Sequence, residues 1–296
     1  MSKDPNKKLV VLLTGASTGL GLELTKLITQ QPDFHLVATA RESSLSRFAE
    51  NHIFENDQLW LRPMDVLNKH DRDNVLKEIR LKLGGVDILI NNAGYMLRAV
   101  VEHVAEMERF QQMDTNFRAP MALIRRVLPH MRRSRRGHII NISSVSGMMA
   151  MPTMSVYSAS KFALEGASES LWYEVRPWNI HVSIVQPGFI HSSSYLNVKS
   201  SKECQHSLND PQDPYYYHYN SMIPFINKVM ELTPSTPEQV ARTILRLMRK
   251  KRPPLRVAAT WDAHFFFILR RFLPRSFYHW FLYRSLPHIR QWGSRN

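Results

Sequence analysis

Short apolar runs alternate with longer segments of helical periodicity along most of the chain. The apolar runs are unbroken, as in strands that are buried on both faces. The longer segments repeat their apolar positions at the spacing of amphipathic helices. The predicted strands are Leu9–Thr14, His35–Thr39, Leu59–Arg62, Ile88–Ile90, Gly137–Ile142, His181–Val185 and Leu255–Ala258. The predicted helices are Leu20–Gln30, Asn68–Leu83, Met107–Arg133, Ser155–Val175 and Pro237–Lys250.

This alternation predicts an α/β fold with a doubly wound parallel sheet of about seven strands. Continuous apolar strands separated by helices are typical of a sheet that helices cover on both faces. No repeat or low-complexity linker interrupts the pattern. We therefore predict a single domain over residues 1–260, followed by a helical extension over residues 261–296.

Two segments depart from this rhythm. Residues 189–235 are polar, rich in tyrosine and broken by proline, which predicts a long irregular excursion that acts as a substrate-binding lid. Residues 261–292 interleave aromatic and basic side chains in short amphipathic pieces. Such pieces are typical of helices that lie in a membrane interface, but the same aromatic residues could equally pack on the domain or cover a pocket.

The composition fits a soluble or peripherally attached globular protein. Hydrophobic residues make up 44% of the 296 residues and charged residues 22%, which allows a sizeable core. No apolar stretch reaches the length of a transmembrane helix, and the run at residues 9–13 is too short for a signal peptide. Cys204 is the only cysteine, so an intramolecular disulfide and a cysteine-based zinc site are excluded. We expect no metal site and a cytoplasmic location.

The positive charge is concentrated at the end of the chain. The formal net charge is +14, and residues 242–296 hold 13 Lys/Arg against one acid, a balance of +12. The remaining residues hold 26 basic and 24 acidic side chains, a balance of +2. This asymmetry indicates an anionic partner, which could be a membrane surface, a nucleic acid or an acidic protein, or else a solvated tail. Nucleic acid is not expected, because the chain contains no recognisable nucleic-acid-binding motif.

A glycine-rich turn follows the first predicted strand. Glycines allow the backbone to turn sharply and to approach a pyrophosphate, and the next helix offers free N–H groups and its positive dipole end to the phosphates. The turn predicts a dinucleotide site, and the alternative is a glycine-rich turn without a ligand. The contacts expected here are Gly15, Ser17, Thr18, Gly19, Leu20 and Gly21.

The end of the second predicted strand favours NADP(H) over NAD(H). Folds that bind NAD commonly place an acid there to bond the ribose hydroxyls, but this chain has Ala40 followed by Arg41. A guanidinium can pair with the 2′-phosphate of NADP, unless Arg41 is an ordinary exposed loop residue. Asp65 is placed to accept a hydrogen bond from the adenine amino group. Further cofactor contacts are expected at Val66, Asn92, Ala93 and Gly94.

A serine, a tyrosine and a lysine form the candidate catalytic set. Tyr157 and Lys161 are four residues apart on a predicted helix, so their side chains share one face. A nearby ammonium favours the phenolate and lowers the pKa of a tyrosine, which suits proton transfer to or from a carbonyl or alcohol oxygen. Ser144, at the end of the fifth predicted strand, could hydrogen-bond the same oxygen.

Taken together, these motifs resemble the short-chain dehydrogenase/reductase family over roughly residues 8–260. The matching motifs, in order, are TGASTGLG at residues 14–21, Asp65, NNAG at residues 91–94, Asn116, Ser144, YSASK at residues 157–161 and Pro187-Gly188. The resemblance implies a Rossmann fold and an oxidoreductase that acts on CH–OH groups with NAD(P). It also implies pairing of two chains through the helices around residues 107–133 and 155–175.

The resemblance assigns roles to individual residues. It makes Tyr157 the acid/base, while Lys161 lowers the pKa of Tyr157 and binds the nicotinamide ribose. Ser144 positions the substrate, and Asn116 completes a proton relay through water. The family's nicotinamide contacts correspond to Pro187, Gly188, Ile190 and Ser192, where Ser192 replaces the threonine that the family often has.

The expected substrate is a hydrophobic alcohol or its carbonyl counterpart. The overall spacing is similar to family branches that act on steroids, retinoids and other lipophilic alcohols. Met149 and Met151 lie in the loop after Ser144, which flanks the substrate pocket in the family. The predicted substrate contacts are therefore Ser144, Met149, Met151 and Tyr157, although the methionines could equally be core packing. The rival functions are a non-catalytic NADP-binding sensor and a membrane-associated scaffold that keeps the fold.

Overall fold

The computed structural model describes residues 8–191 and 198–293, and its central feature is one parallel sheet of seven strands. The strand order is β3-β2-β1-β4-β6-β7-β9. These strands are β1 (Leu9–Thr14), β2 (Phe34–Ala40), β3 (Leu59–Pro63), β4 (Ile88–Asn91), β6 (Gly137–Ile142), β7 (Ile180–Gln186) and β9 (Arg256–Ala258). A separate pair joins β5 (Leu97–Arg98) to β8 (Lys199–Ser200). All seven predicted strands are confirmed, with boundaries that differ by one residue at most.

Helices cover both faces of this sheet. Their bounds are α1 (Gly19–Thr29), α2 (Ser46–Glu50), α3 (Lys69–Leu83), α4 (Glu106–Met113), α5 (Ala119–Ser134), α6 (Ser155–Val175), α7 (Lys202–Ser207), α8 (Tyr216–Leu232), α9 (Pro237–Met248), α10 (Trp261–Phe272) and α11 (Arg275–Arg284). Four of the five helices expected from periodicity are present as single helices, and the fold is the doubly wound Rossmann type.

Alternate residues of each strand enter two different cores. In β1, Val11 and Leu13 pack with α1 and α9, whereas Val10 and Leu12 pack with α3, α5 and α6 on the other face. Both sets are at most 3% exposed. Burial of one such side chain stabilises the fold by roughly 1.5–3 kcal/mol, so two buried faces explain why the strand is apolar at every position.

Local signals set the ends of the helices. The side chain of Asn68 accepts a hydrogen bond from the His70 N–H at the start of α3, and Gly84 ends that helix in the left-handed region at φ +88°. Thr236 and Gln239 form a capping box at the start of α9, where Pro237 takes the first helical position. These caps satisfy terminal backbone groups that the helices cannot satisfy themselves.

The long helix that was predicted over residues 107–133 is interrupted. α4 and α5 are separated by a π-helical turn over Asp114–Arg118, which carries Asn116. The periodicity of apolar residues does not reveal such a turn, because helical spacing is found both before and after it.

The prediction that residues 189–235 form an irregular excursion was wrong for most of that segment. α7 and α8 lie within it, and Pro224 is inside α8. Tyr219, Met222 and Ile226 form the buried stripe of α8, so packing outweighs the cost of an internal proline. Residues 192–197 lie outside the described part of the chain.

The aromatic, basic segment forms the hairpin of α10 and α11, which packs on the domain. Phe266, Leu269, Leu273 and Leu282 contact a cluster that contains Met149. Of the alternatives for this segment, packing on the domain is therefore observed. Within residues 8–191 and 198–293, none of the helices combines the length and the apolar character needed to cross a bilayer.

Candidate active site

The sheet reverses its strand order between β1 and β4, which creates a crevice at the carboxyl ends of these strands. Thr14 ends β1, and its hydroxyl accepts hydrogen bonds from the N–H groups of Asn92 and Ala93, each at 3.0 Å. The Asn92 amide in turn donates to the carbonyls of Thr14 (3.0 Å) and Gly15 (2.9 Å). These four bonds tie the glycine-rich turn to the end of β4.

Glycine is required at two positions of this turn. Gly15 has φ +64°, and a Cβ there would lie 2.8 Å from the Cα of Ala93. A Cβ on Gly21 would lie 2.0 Å from the carbonyl oxygen of Gly15. No hydrogen bond from the Thr18 side chain caps the start of α1, so the first N–H groups of that helix remain available for an anion.

The other predicted residues of the turn surround this helix start. Ser17 is buried, Thr18 is exposed, and Gly19 and Leu20 are half-buried at the beginning of α1. The backbone therefore meets the steric and hydrogen-bonding requirements of a pyrophosphate, which fits a dinucleotide.

A cavity of about 660 Å³ adjoins the ends of β2 and β3, and Arg41, Ser43 and Asp65 help to line it. One carboxylate oxygen of Asp65 accepts from the Leu67 N–H at 2.9 Å, which leaves its other oxygen for a ligand. Val66 is buried beside it. This position relative to the glycine-rich turn is that of the adenosine half of a dinucleotide.

Ser144 and Tyr157 meet at the carboxyl end of β6. The Ser144 side chain hydrogen-bonds the phenol of Tyr157, and this bond lowers the pKa of Tyr157. Burial has the larger effect and raises that pKa above its ordinary value of 10.0. The lowering of the pKa that was expected from the neighbouring ammonium is thus not found, because desolvation of the phenolate outweighs the hydrogen bond with Ser144.

Lys161 lies one helical turn beyond Tyr157 and is buried. Its Nζ donates to the carbonyl of Ile142 at 2.9 Å and lies 5.8 Å from the centroid of the Tyr157 ring. Burial lowers the pKa of Lys161 to about 8, while the nearby Glu165 carboxylate acts to raise it. The ammonium therefore faces the site but is shared with the backbone of β6.

Asn116 braces the site from the π-helical turn. Its Nδ2 donates to the Tyr95 carbonyl at 3.0 Å and to the Ser160 hydroxyl at 3.1 Å, and its Oδ1 accepts from the Tyr95 N–H at 3.2 Å. Ser160 donates to the carbonyl of Tyr157 at 2.7 Å, so Asn116 is linked to the catalytic helix. Because both amide hydrogens are used within the protein, a proton relay could use only the oxygen atoms of Asn116.

Glu165 is a buried carboxylate that the sequence reasoning missed. It accepts from the Ser143 hydroxyl at 2.7 Å and from the Gln186 amide at 2.9 Å, and it lies 3.6 Å from the Arg256 guanidinium. The signal was present in the sequence, because Glu165 follows Lys161 by four residues on the same helix face. Glu165 thus connects Lys161 to the ends of β6, β7 and β9.

The loop after β7 carries Pro187, Gly188 and Ile190, and the C-terminal extension holds it in place. The Gly188 N–H donates to the Thr260 hydroxyl at 2.9 Å, and the Phe189 N–H donates to Asp262 Oδ2 at 2.8 Å. A Cβ on Gly188 would lie 1.9 Å from that same carboxylate oxygen. Sequence reasoning missed both Thr260 and Asp262, although Asp262 is the one acid among residues 242–296. The predicted contact Ser192 lies outside the described residues.

The predicted substrate methionines belong to two apolar clusters beside the catalytic set. Met149 is 4% exposed and packs with Val145, Met148 and Tyr278. Met151 is half-buried and also touches the second cluster, which contains Tyr157. The remaining members of that second cluster come from other elements and are Met96, Met154, Phe189, Met222, Ile226, Met230, Leu286 and Trp292. The core-packing alternative therefore holds for Met149, while Met151 lies between both clusters.

Comparison with known proteins identifies the family. A profile described as short chain dehydrogenase matches residues 9–203. The chain is 34% identical over 249 residues to a 3-ketodihydrosphingosine reductase of Bacteroides thetaiotaomicron, covering 83% of this chain and 86% of that protein. The chain belongs to the short-chain dehydrogenase family.

Further relatives place this short-chain dehydrogenase among enzymes that act on CH–OH groups. It is 32% identical over 250 residues to the human retinol dehydrogenase 8, covering 83% of this chain and 79% of that protein. A solved short-chain dehydrogenase from Streptomyces avermitilis superimposes with a TM-score of 0.75 at 29% identity, covering 88% of this chain and 92% of that chain. The protein is therefore an oxidoreductase that binds a nicotinamide cofactor.

Proposed function

We propose that this short-chain dehydrogenase interconverts a hydrophobic alcohol and its ketone or aldehyde with NADP(H), using Tyr157 as the acid/base. The observation that carries the proposal is the hydrogen bond between Ser144 and Tyr157, with Lys161 one turn away, at the mouth of the dinucleotide crevice. A degenerate relative that only senses the cofactor would be expected to lose one of these groups, and all of them are present together with Asn116.

In this mechanism Ser144 and Tyr157 both hydrogen-bond the substrate oxygen. The raised pKa of Tyr157 keeps its phenol protonated at neutral pH, so it can donate that proton to a carbonyl during reduction. In the oxidative direction the phenolate accepts the proton of the alcohol. A nicotinamide bound in the crevice would supply or accept the hydride at the carbon that bears the substrate oxygen. Lys161, which is buried and cationic below a pH of about 8, stabilises the phenolate electrostatically.

The preference for NADP(H) rests on the adenosine end of the crevice. Arg41 is exposed and lines the cavity together with Ser43, and Ala40 stands where an acid would repel a 2′-phosphate. The second guanidinium at the cavity, that of Arg62, is already paired with Glu55 at 2.5 Å and with Glu78 at 2.8 Å. Arg41 is therefore the cation that we assign to the 2′-phosphate.

A lipophilic substrate is supported by the surroundings of Tyr157. The cluster around this residue is apolar and includes Met151, Met222, Ile226 and Trp292. Two relatives carry the names 3-ketodihydrosphingosine reductase and retinol dehydrogenase 8. We propose a lipophilic alcohol or carbonyl compound for this enzyme, with Ser144 and Met151 at the pocket wall and α8 as its lid.

We further propose a cytoplasmic enzyme that docks peripherally on a membrane through residues 261–292. The charge balance of +12 over residues 242–296 supports an anionic surface as its partner. A membrane-associated scaffold without activity is the alternative, and it differs from the enzyme in having no turnover.

The deciding experiment measures NADPH consumption across lipophilic ketones and aldehydes, with NADH in parallel. We expect turnover of at least one compound, and a loss of at least about 10³-fold in kcat for Tyr157→Phe, because the acid/base is removed. NADPH binding, measured by fluorescence, should change little. Substantial turnover by Tyr157→Phe would reject the assigned acid/base, and tight NADPH binding without any turnover would favour the sensor.

A further inference from the structure

The first helix of the C-terminal hairpin has two apolar faces. One face contacts the domain through Phe266, Leu269 and Leu273. On the other face Trp261, Phe265, Ile268 and Phe272 follow one another at helical spacing, and they are 61%, 50%, 55% and 73% exposed. An ordinary surface helix buries one apolar face and directs polar side chains outward, so this second face is unusual.

The second helix of the hairpin extends the exposed apolar surface. Phe277 and Trp280 of α11 are 48% and 54% exposed, while Tyr278 and Leu282 provide the contacts to the domain. The Phe277 ring stacks on Trp280 with 5.7 Å between centroids, which aligns two flat side chains on the surface. We call the exposed apolar side chains of α10 and α11 the docking face.

The charges around the docking face all have one sign. Arg270, Arg271 and Arg284 are exposed on the same two helices. Asp262 is the only acid of residues 261–293, and it is buried against the loop after β7. Within the described part of the hairpin, no exposed carboxylate therefore accompanies the aromatic and basic side chains.

We propose that the docking face binds an anionic phospholipid bilayer. Trp and Phe side chains enter the boundary between headgroups and acyl chains, and arginines beside them pair with lipid phosphates and carboxylates. A second copy of this chain is a poorer occupant, because two copies of the face would bring arginines of like charge together. Isolated apolar residues on a protein surface are ordinary, but a contiguous set with a cationic rim indicates a partner.

The position of the hairpin connects this surface to the catalytic centre, an argument that rests on the proposed function. The inner side of α10 and α11 contacts Met148 and Met149, which follow Ser144 in the chain. Leu286 and Trp292, just beyond α11, reach the cluster around Tyr157. A bilayer on the outer side of the hairpin would therefore lie next to the wall of the substrate pocket and could deliver a lipophilic alcohol or ketone.

Vesicle co-sedimentation of the full chain tests the docking face without any measure of turnover. The vesicles are phosphatidylcholine alone and phosphatidylcholine with phosphatidylserine. We expect binding to the anionic vesicles, with affinity reduced roughly tenfold or more in the double variant Phe265→Ser/Phe272→Ser. The matched control Phe54→Ser/Leu81→Ser removes side chains that are 62% and 70% exposed elsewhere on the molecule, and it should bind like the wild type.

A variant that lacks one positive charge of the hairpin provides a second test of vesicle binding. Arg271→Gln should weaken binding to anionic vesicles by roughly fivefold and leave phosphatidylcholine binding unchanged. Arg133→Gln is the control, because Arg133 is likewise an exposed arginine, at the end of α5 and outside the C-terminal hairpin. Equal binding by all four variants and the wild type would overturn the proposal.

Two further results would also reject it. The first is a wild type that binds no vesicles and whose mass in solution is larger than that of the Phe265→Ser/Phe272→Ser variant. That result would assign the docking face to a second copy of the chain. Binding of the wild type to a nucleic acid oligomer but to neither vesicle would assign it to that polymer. If vesicle binding holds while every candidate substrate is inert, the docking face stands and the proposed reaction fails.

Discussion

At the scale of single residues, the pKa values of the catalytic pair are set mainly by burial. Burial disfavours the charged form of each group, which raises the pKa of Tyr157 and lowers that of Lys161 to about 8. Glu165 opposes part of this effect on Lys161, since its buried carboxylate favours the ammonium. The spacing of Tyr157 and Lys161 was evident from the sequence, whereas the direction of the tyrosine shift was not, because it depends on what surrounds the phenol.

Arg41 allows a prediction at this scale. We expect Arg41→Ala to weaken NADPH binding by roughly 10- to 100-fold, because a charge-assisted hydrogen bond to the 2′-phosphate contributes about 1.5–3 kcal/mol. NADH binding should change by less than about twofold, since that cofactor lacks the phosphate. Fluorescence titration with both cofactors measures the difference.

Arg47→Ala is the matched control for Arg41, because Arg47 is exposed on α2 and is not among the residues that line the adenosine cavity. Equal losses for NADPH and NADH in Arg41→Ala would remove Arg41 from phosphate recognition.

At the scale of elements, the start of α10 holds the loop after β7. The Thr260 hydroxyl accepts a hydrogen bond from the Gly188 N–H, and the Asp262 carboxylate accepts one from the Phe189 N–H. The Asp262 carboxylate lies so close to Gly188 that a Cβ at that position would not fit. The C-terminal hairpin is thus joined to the nicotinamide end of the crevice. Asp262 Oδ1 has no hydrogen-bond partner among the described residues, so the hydrogen bond of this carboxylate to the loop is made by Oδ2 alone.

We predict that Asp262→Ala lowers cofactor affinity roughly tenfold, because the partly buried Phe189 N–H loses its acceptor and the loop is released. Asp262→Asn retains an acceptor oxygen of the same size and should stay within about threefold of the wild type. The Kd for NADPH and the melting temperature are measured for both variants. A lower melting temperature with unchanged NADPH affinity in Asp262→Ala would show a purely structural contact.

The π-helical turn over Asp114–Arg118 positions Asn116. It separates α4 from α5 and directs Asn116 at Tyr95 and Ser160. A regular helix through residues 107–133 would rotate Asn116 away, so one extra residue in the turn decides where the amide lies. The sequence identified Asn116 by resemblance but gave no sign of the turn.

For the whole molecule, we propose a homodimer through the outer faces of α4 and α6. Met107 and Phe110 on α4 are 65% and 52% exposed, and Tyr173 on α6 is 63% exposed. Light scattering should give a mass about twice the 34.5 kDa of the chain. Phe110→Glu should yield the monomer, because a desolvated charge opposes the interface, whereas Phe54→Glu should not. A monomeric wild type would reject the dimer.

The sequence by itself determined the strands, the class of fold and the candidate catalytic and cofactor residues. Apolar runs buried on both faces leave one arrangement of strands and helices, and the chemistry of Ser144, Tyr157 and Lys161 follows from their types and spacing. Tertiary structure alone decided the roles of Glu165 and Asp262 and the two-faced hairpin of α10 and α11. Their partners are distant in the chain, and whether an apolar or charged side chain is buried depends on what packs against it, which no local pattern encodes.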